Sequence, residues 1–349
     1  MKRFFALLLA VVLPILILTG CGSQSTQTQS GTGNSQTANL QTIIFTEPVR
    51  GYYWAPVYLA QTLGYFAEQG LNADFQTVTG ADASAPVFAG EAQFTLRGVE
   101  MALMANEAGQ GCKILVSTTQ KYPYQLIGAS QKYSTIESLK GGIIAGGQGA
   151  SSAPYAFSKA CLISGGLQPD VDASVISMAS SGYAAAIKNG DIQAAVSTNP
   201  WIAKTLVDNG GAVIVDGTNP SVMEKIMGSS SYELFAVVAS DPYIASNPET
   251  VQKTVTAIAK AMKWMSTATP EEIAKNLEPL FEGRYDELLY DAQTDKAGEI
   301  QNTTGYHTDS GYQAAINLTK LSGSIKTSPT ASTIYNESFL DQAWKTLGQ

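Results

Sequence analysis

Histidine is almost absent from this chain of 349 residues: there is one, His307, beside Thr303, Thr304, Gly305 and Tyr306. No acid or cysteine stands at a suggestive spacing around it, so a catalytic triad or a zinc site would lack its members. His307 therefore reads as a surface loop residue, and neither a metal nor a cofactor is expected. Cysteine is scarce as well, with three in all. Cys112 opens an apolar strand and Cys161 falls on the buried-looking face of a distant helix. An exported protein could pair them, but two isolated buried thiols are the expectation. Charge of one sign is nowhere concentrated: 21 Lys and Arg against 29 Asp and Glu give a net charge of −8, scattered along the chain. That argues against a nucleic-acid groove and against a polybasic membrane patch. Beyond residue 18 no apolar run is long enough to span a bilayer.

What is present begins with a leader. Lys2-Arg3 is a short basic patch, and residues 4–18 are almost wholly apolar. A stretch this short at the very start reads as a secretory signal over 1–20 rather than a spanning helix. Leu18-Thr19-Gly20-Cys21 resembles a bacterial lipobox, which implies cleavage before Cys21 and lipidation of its thiol; a simple signal peptide with a chance cysteine is the alternative. Residues 21–40 are mostly Ser, Thr, Gln, Gly and Asn, with no charged residue. Such a composition buries no core and acts as a flexible tether spanning on the order of 25 Å.

The remainder can bury a large core, since 44% of the chain is hydrophobic, and a length of this order suggests two lobes. Strand patterns at 40–45, 71–77, 92–97, 113–117, 124–130, 143–145, 171–178, 192–197, 212–215 and 234–239 alternate with helical ones. Connections of a few residues between them predict parallel α/β layers. Lobe 1 is expected to comprise 41–123 and 240–349, and lobe 2 residues 124–239. Ala89-Gly90-Glu91-Ala92-Gln93 echoes Asn189-Gly190-Asp191-Ile192-Gln193, each between a helix and a strand. From Asn247 the chain turns helical: Asn247-Pro248-Glu249 reads as an N-cap, and Val251, Val255, Ile258, Met262 and Met265 share one face. Thr269-Pro270-Glu271-Glu272 reads as a capping box. Phe339, Ala343, Trp344 and Leu347 again share a face. A Met and Trp stripe of this kind is core rather than a cofactor site.

The most informative stretch is 51–71. Pro56 suits a first helical turn, Leu59, Leu63 and Phe66 lie on one face, and Gly70 is a stop. Tyr52, Tyr53 and Trp54 thus fall between the carboxyl end of a strand and a helix N-terminus, where open α/β sheets bind ligands. APVYLAQTLGYFAEQGL, followed by FAGEAQFTLRGVEMALMANEAG, resembles the SsuA/Thi-type solute-binding proteins of bacterial ABC importers, which include binders of sulfonates, taurine, nitrate and the thiamine pyrimidine precursor. The likeness runs from about residue 42 to the last helix. It implies a two-lobed type II periplasmic-binding fold, each lobe a mostly parallel sheet flanked by helices. It further implies a monomer on the extracytoplasmic face of the cell membrane, with a small solute, a permease and an ATPase as partners. The family more often carries an acid where Gln93 and Gln193 stand.

The candidate ligand residues follow from both readings. Tyr52, Tyr53 and Trp54 offer faces for stacking or cation–π contact; the alternative is that some of them seal the core. Glu100 begins a helix, where the macrodipole alone accounts for a carboxylate; the resemblance also puts it at the cleft mouth, accepting from an exocyclic amine. Arg97 is either an anion ligand or a partner of Glu100. Gly147, Gln148, Gly149, Ala150 and Ser151 form a glycine-rich turn before a helix, offering N–H groups; a dinucleotide loop would need a third glycine. Ser180, Ser181, Thr198 and Asn199 close the other wall, and Lys121 and Tyr122 contact ligand or hinge. A nitrogen-rich aromatic solute is favoured over a sulfonate, taurine or nitrate. The family also resembles fungal thiamine-pyrimidine synthases, which consume an active-site histidine and carry a cysteine-rich motif. Neither feature occurs between residues 42 and 238, which disfavours an enzyme. A surface adhesion or sensor lipoprotein is the third class.

Overall fold

The computed structural model describes residues 40–78, 83–147, 149, 152–197 and 199–348. Cys21, the leader and the tether up to residue 39 lie outside the described residues, as do Gln148, Ala150, Ser151 and Thr198.

The strands, in chain order, are β1 (Gln41–Glu47), β2 (Leu71–Thr77), β3 (Phe94–Gly98), β4 (Cys112–Ser117), β5 (Gln125–Gly128), β6 (Ile143–Ala145), β7 (Ser174–Ile176), β8 (Ala194–Ser197), β9 (Ala212–Asp216) and β10 (Phe235–Ser240). The helices are α1 (Ala55–Thr62), α2 (Tyr65–Glu68), α3 (Ala85–Ala89), α4 (Val99–Glu107), α5 (Ala153–Ser164), α6 (Tyr183–Asn189), α7 (Pro200–Asp208), α8 (Pro220–Met227), α9 (Asp241–Ser246), α10 (Pro248–Thr267), α11 (Pro270–Leu277), α12 (Tyr285–Gly298), α13 (Asp309–Leu321), α14 (Ala331–Ile334) and α15 (Ser338–Thr346). They build two five-stranded sheets, ordered β2-β1-β3-β10-β4 and β7-β6-β8-β5-β9. This is the expected two-lobed α/β fold with helices on the sheets.

The two sheets repeat one plan. In each, the first three strands pair in parallel, β1 with β2 and β3, β6 with β7 and β8. The strand that crosses over from the other half then inserts antiparallel, β10 between β3 and β4, β5 between β8 and β9. The mostly parallel character that was expected is kept, with one inserted strand per sheet as the exception. The exception arises because a chain arriving from the opposite sheet enters from the opposite end. The return crossing ends at Phe235, which pairs with Gly98, so lobe 1 resumes before residue 240.

The echo read from sequence is part of this plan. Gln93 accepts from the Ile44 amide at 2.7 Å, and Gln193 from the Ile143 amide at 2.8 Å. The carboxamide oxygen thus serves as the strand-end acceptor that an acidic side chain would also provide. The glycines of the echo, Gly90 and Gly190, both close a helix in the left-handed conformation, at φ 77° and 80°, which costs glycine nothing.

Other expectations meet local corrections. The single helix expected to run to Gly70 breaks into α1 and α2 at Gly64, whose φ of 78° leaves the helical region. Asn247 does not cap α10: its side-chain amide donates instead to the Tyr243 carbonyl. The capping box at Thr269 and Glu272 forms with both reciprocal bonds. Val251, Val255, Ile258, Met262 and Met265 are all buried, so α10 packs on α1 and α15 by the face its periodicity marks. Cys112 and Cys161 are free and buried. His307 lies in a loop, but it is held rather than merely exposed: its ring stacks on Tyr335 at 4.1 Å and its Nδ1 meets Glu337 at 2.8 Å.

Removing either glutamine strands an amide. Gln93→Ala should lower unfolding free energy by about 1–2 kcal/mol, since the Ile44 amide is partly buried, and Gln193→Ala by less, since Ile143 is exposed and water can replace the lost acceptor. Urea denaturation of both variants checks this; equal losses would break the link to burial.

Candidate functional site

Tyr52, Tyr53 and Trp54 form one 3₁₀ turn between β1 and α1, with Pro56 in the first turn of the helix. All three are almost fully buried. Tyr52 is structural: its hydroxyl donates to Asp295 Oδ2 at 2.9 Å. Tyr53 stacks on Phe235 with centroids 5.1 Å apart, and Trp54 meets the same ring edge-on at 4.8 Å. Tyr124 also approaches Phe235 edge-on, at 6.1 Å, and continues the series to Tyr122, which touches Phe157 of α5 and Tyr232. A continuous run of rings therefore leads from the first sheet over the crossing segments to the helices of the second.

Polar groups are set into this wall. Tyr53 Oη and Trp54 Nε1 are buried and have no hydrogen-bond partner among the described residues. A buried donor left unmade costs about 1–3 kcal/mol, so each of these two calls for an acceptor, whether a water or another molecule. Tyr53 also feels Asp291, Asp295 and Tyr124, which together with burial push its hydroxyl pKa well up. The two aspartates come from one face of α12 and are 1% and 3% exposed. Asp291 accepts from the Trp201 amide at 3.1 Å, at the start of α7. Burial, with Glu287 nearby, drives its carboxyl well above the ordinary range. Asp295 is raised to about 7, by burial first, despite donors from Gln301 and Tyr52.

Glu100 and Arg97 make a second group. Glu100 is 4% exposed in the first turn of α4 and accepts from Tyr232 Oη at 2.5 Å. Burial lifts its pKa to about 7, while Tyr232, its own amide and Arg97 pull the other way. A Cβ on Gly98 would come 2.6 Å from Glu100 Oε2, so the carboxyl is folded back over the end of β3. Burial lowers the Arg97 pKa and Glu100 opposes that change. Arg97 and Glu100 are thus electrostatic partners, one of the two roles read from sequence. Tyr124 joins the groups, since burial, Glu100 and Tyr183 all raise its pKa while Arg97 lowers it.

On the other wall, Gly147 takes φ 82°, and its carbonyl accepts from the Met178 amide at 2.9 Å. The backbone of Gly147 faces the Tyr183 hydroxyl, which offsets part of the rise to about 12 that burial gives Tyr183. Gly149 donates to Ser177 Oγ at 2.6 Å, and Ser152 Oγ is buried with no partner among the described residues. Ser180 and Ser181 lie in the turn before α6.

Three candidates are spent elsewhere. Asn199 caps α7, its side chain accepting from the Ile202 amide. Lys121 donates to the Gly298 carbonyl at 2.7 Å and pairs with Glu299, so it secures the crossing. Tyr122, fully buried, donates to the Ala153 carbonyl at 3.1 Å and does the same. Phe235, Tyr124, Asp291 and Asp295 were not anticipated. The aspartates had a readable signal: with Leu288 and Ala292 they share one helical face, so acids stand where apolar residues are expected.

Residues 52–273 match the family described as NMT1/THI5 like. The chain belongs to that family. A search of curated protein sequences finds no match. Among solved structures, a protein of Bordetella bronchiseptica RB50 is similar with a TM-score of 0.70 and 22% identity, over 89% of this chain and 98% of that one. The periplasmic aliphatic sulphonate binding protein SsuA from Escherichia coli gives 0.64 and 15%, over 84% and 97%. The desulfurization enzyme DszB gives 0.58 and 14%, over 88% and 99%. At these identities the likeness is one of fold, shared by a binding protein and an enzyme.

Glu100, Asp295 and Glu233 all carry pKa values near 7 against ordinary values of 4.5, 3.8 and 4.5, chiefly through burial. A raised folded-state value stabilises fully below the unfolded pKa and loses that contribution as pH rises through the folded one. His307, raised by Glu337, has the same sign. Unfolding free energy of the unliganded protein should therefore increase from pH 8 to pH 5, on the order of a few kcal/mol in total. Urea titrations across that interval test it: a fall toward pH 5 would contradict burial as the dominant cause, and Glu100→Gln should flatten the rise.

Proposed function

We propose that the chain is the extracytoplasmic solute-binding component of an ABC importer, not an enzyme, and that it captures a nitrogen-rich aromatic solute, such as a thiamine-type pyrimidine, between its lobes. The observation that carries this is the pair of partnerless buried groups, Tyr53 Oη and Trp54 Nε1, on rings packed against Phe235, with the buried carboxyls of Asp291 and Asp295 acting on the same tyrosine. A ring nitrogen would accept from Trp54, an exocyclic amine would donate toward Asp291, whose Oδ1 alone is taken by the Trp201 amide, and the rings would supply stacking. A sulfonate would gain no ion pair from these acids, whose charged forms burial already disfavours. Glu100 on one side and Gly147, Gly149 and Ser152 on the other would then grip the ligand from both lobes, which stabilises the closed state because only that state makes both sets of contacts.

The second reading, a sulfonate, taurine or nitrate, draws on Arg97 and on the turn before α5 with its unpartnered Ser152 hydroxyl. The enzyme reading has no histidine within the family match, residues 52–273. The lipobox-like Leu18-Thr19-Gly20-Cys21 supports anchoring through Cys21 by a lipid, with permease and ATPase subunits as membrane partners and a monomer as the working form.

A thermal-shift panel decides between the ligands. Aminopyrimidines should raise Tm and taurine or alkanesulfonates should not; the reverse pattern would overturn the choice. Asp291→Asn should weaken an amine-bearing pyrimidine about tenfold in calorimetry, the loss of one charge-assisted contact of about 1.4 kcal/mol. An unchanged Kd would remove Asp291 from the site.

A further inference from the structure

Next to the aromatic turn is a cavity of about 390 Å³, bordered by Pro56, Met262, Met265, Asp295, Lys296 and Gln301. Its volume falls in the range of small-molecule sites. The side chain of Gln301 is the anomaly in it. The residue is only 8% exposed, yet neither Oε1 nor Nε2 has a hydrogen-bond partner among the described residues. Nor is the segment loose. The Gln301 amide donates to Asp295 Oδ1 at 2.8 Å, and its backbone bridges to Thr119. A fixed, buried carboxamide with both ends unpaired beside an apolar floor calls for a partner.

The charged groups around it are already committed. Asp295 accepts from Tyr52 through one oxygen and from the Gln301 backbone through the other. Lys296 donates to the Met265 and Ser266 carbonyls, at 2.7 and 3.1 Å. Glu299, at the rim, pairs with Lys121. No charge is left over to balance an ionic ligand. Pro56, Met262 and Met265 supply apolar contact, and methionine thioethers pack well against aromatic rings.

We propose that this cavity is a second small-molecule site, separate from the inter-lobe cleft, which takes a neutral primary amide carried on an apolar or aromatic body. The ligand amide places one acceptor and one donor side by side, matching Nε2 and Oε1 of Gln301 in a paired, two-bond contact, while its body rests on the methionines.

The probe is benzamide, with benzoate as the charged control, and the readout is the ¹³C-methyl resonances of methionine in the full chain. Benzamide should shift the Met262 and Met265 methyls saturably and give an intermolecular NOE to Met265 in the unaltered protein, which locates the site without any variant. Benzoate at pH 7.5 should leave both methyls in place. Gln301→Leu should weaken benzamide at least tenfold while the other methionine resonances keep their positions, showing that the fold is intact. Absence of a shift at millimolar benzamide, an equal response to benzoate, or an undiminished response in Gln301→Leu would each overturn the proposal. Since the readout sits at Met262 and Met265, it stands or falls independently of what occupies the cleft.

Discussion

The insertion of β10 into the middle of the first sheet is the constraint on which the rest depends. It brings Phe235 to the end of β3, where its amide donates to Thr119 Oγ1 and its carbonyl accepts from the Thr118 amide. The outgoing and returning crossings are thereby tied together at the ring that Tyr53, Trp54 and Tyr124 all touch. A strand that came home parallel at the sheet edge would place this ring elsewhere, and the aromatic wall would lose its centre. Thr118 extends the tie to the wall itself, its hydroxyl donating to the Tyr53 carbonyl at 2.7 Å. The same bonds that hold the sheets in register therefore position the aromatic face.

The wall also explains the raised carboxyl pKa values. Rings exclude water, and a carboxyl beside them loses hydration that a few hydrogen bonds do not restore. Glu100 shows the balance: a tyrosine hydroxyl, a helix-start amide and an arginine all favour its charged form, yet burial outweighs them. Asp295 follows the same pattern with two donors. An isolated ion pair would give the opposite sign, so desolvation is the stronger effect here.

Much of the fold was legible because its signals are local. Period-two alternation marked β2, the spacing of Val251 through Met265 marked α10, and Thr269 with Glu272 marked a capping box that forms in full. The repeated Gly-acid-x-Gln element revealed the internal plan that the two sheets share. Some helices escaped notice. One of them, α8, begins with Asn219-Pro220, the same signal as Asn199-Pro200, and Asn219 does cap it. Antiparallel insertion of β5 and β10 was not legible, because strand direction depends on which end of a sheet the chain reaches, and residue pattern does not encode that. The candidate site divides in the same way. Tyr53 and Trp54 could be named from their place after a strand. Asp291 and Phe235 reach the wall only through long-range packing, from positions well over a hundred residues away along the chain.

In the proposed reading, these long-range contributions bear most directly on the choice of ligand. Aromatic rings alone would accept almost any flat solute, charged or not. Adding carboxyls to the same dry wall makes the environment respond to the sign of the guest. A cation or an amine donor favours the charged form of Asp291, which burial disfavours, so binding recovers part of the solvation lost on folding. An anion offers no such compensation and would deepen the penalty. Discrimination then arises from a group whose charge the unliganded fold disfavours, and selectivity and stability become two expressions of desolvation.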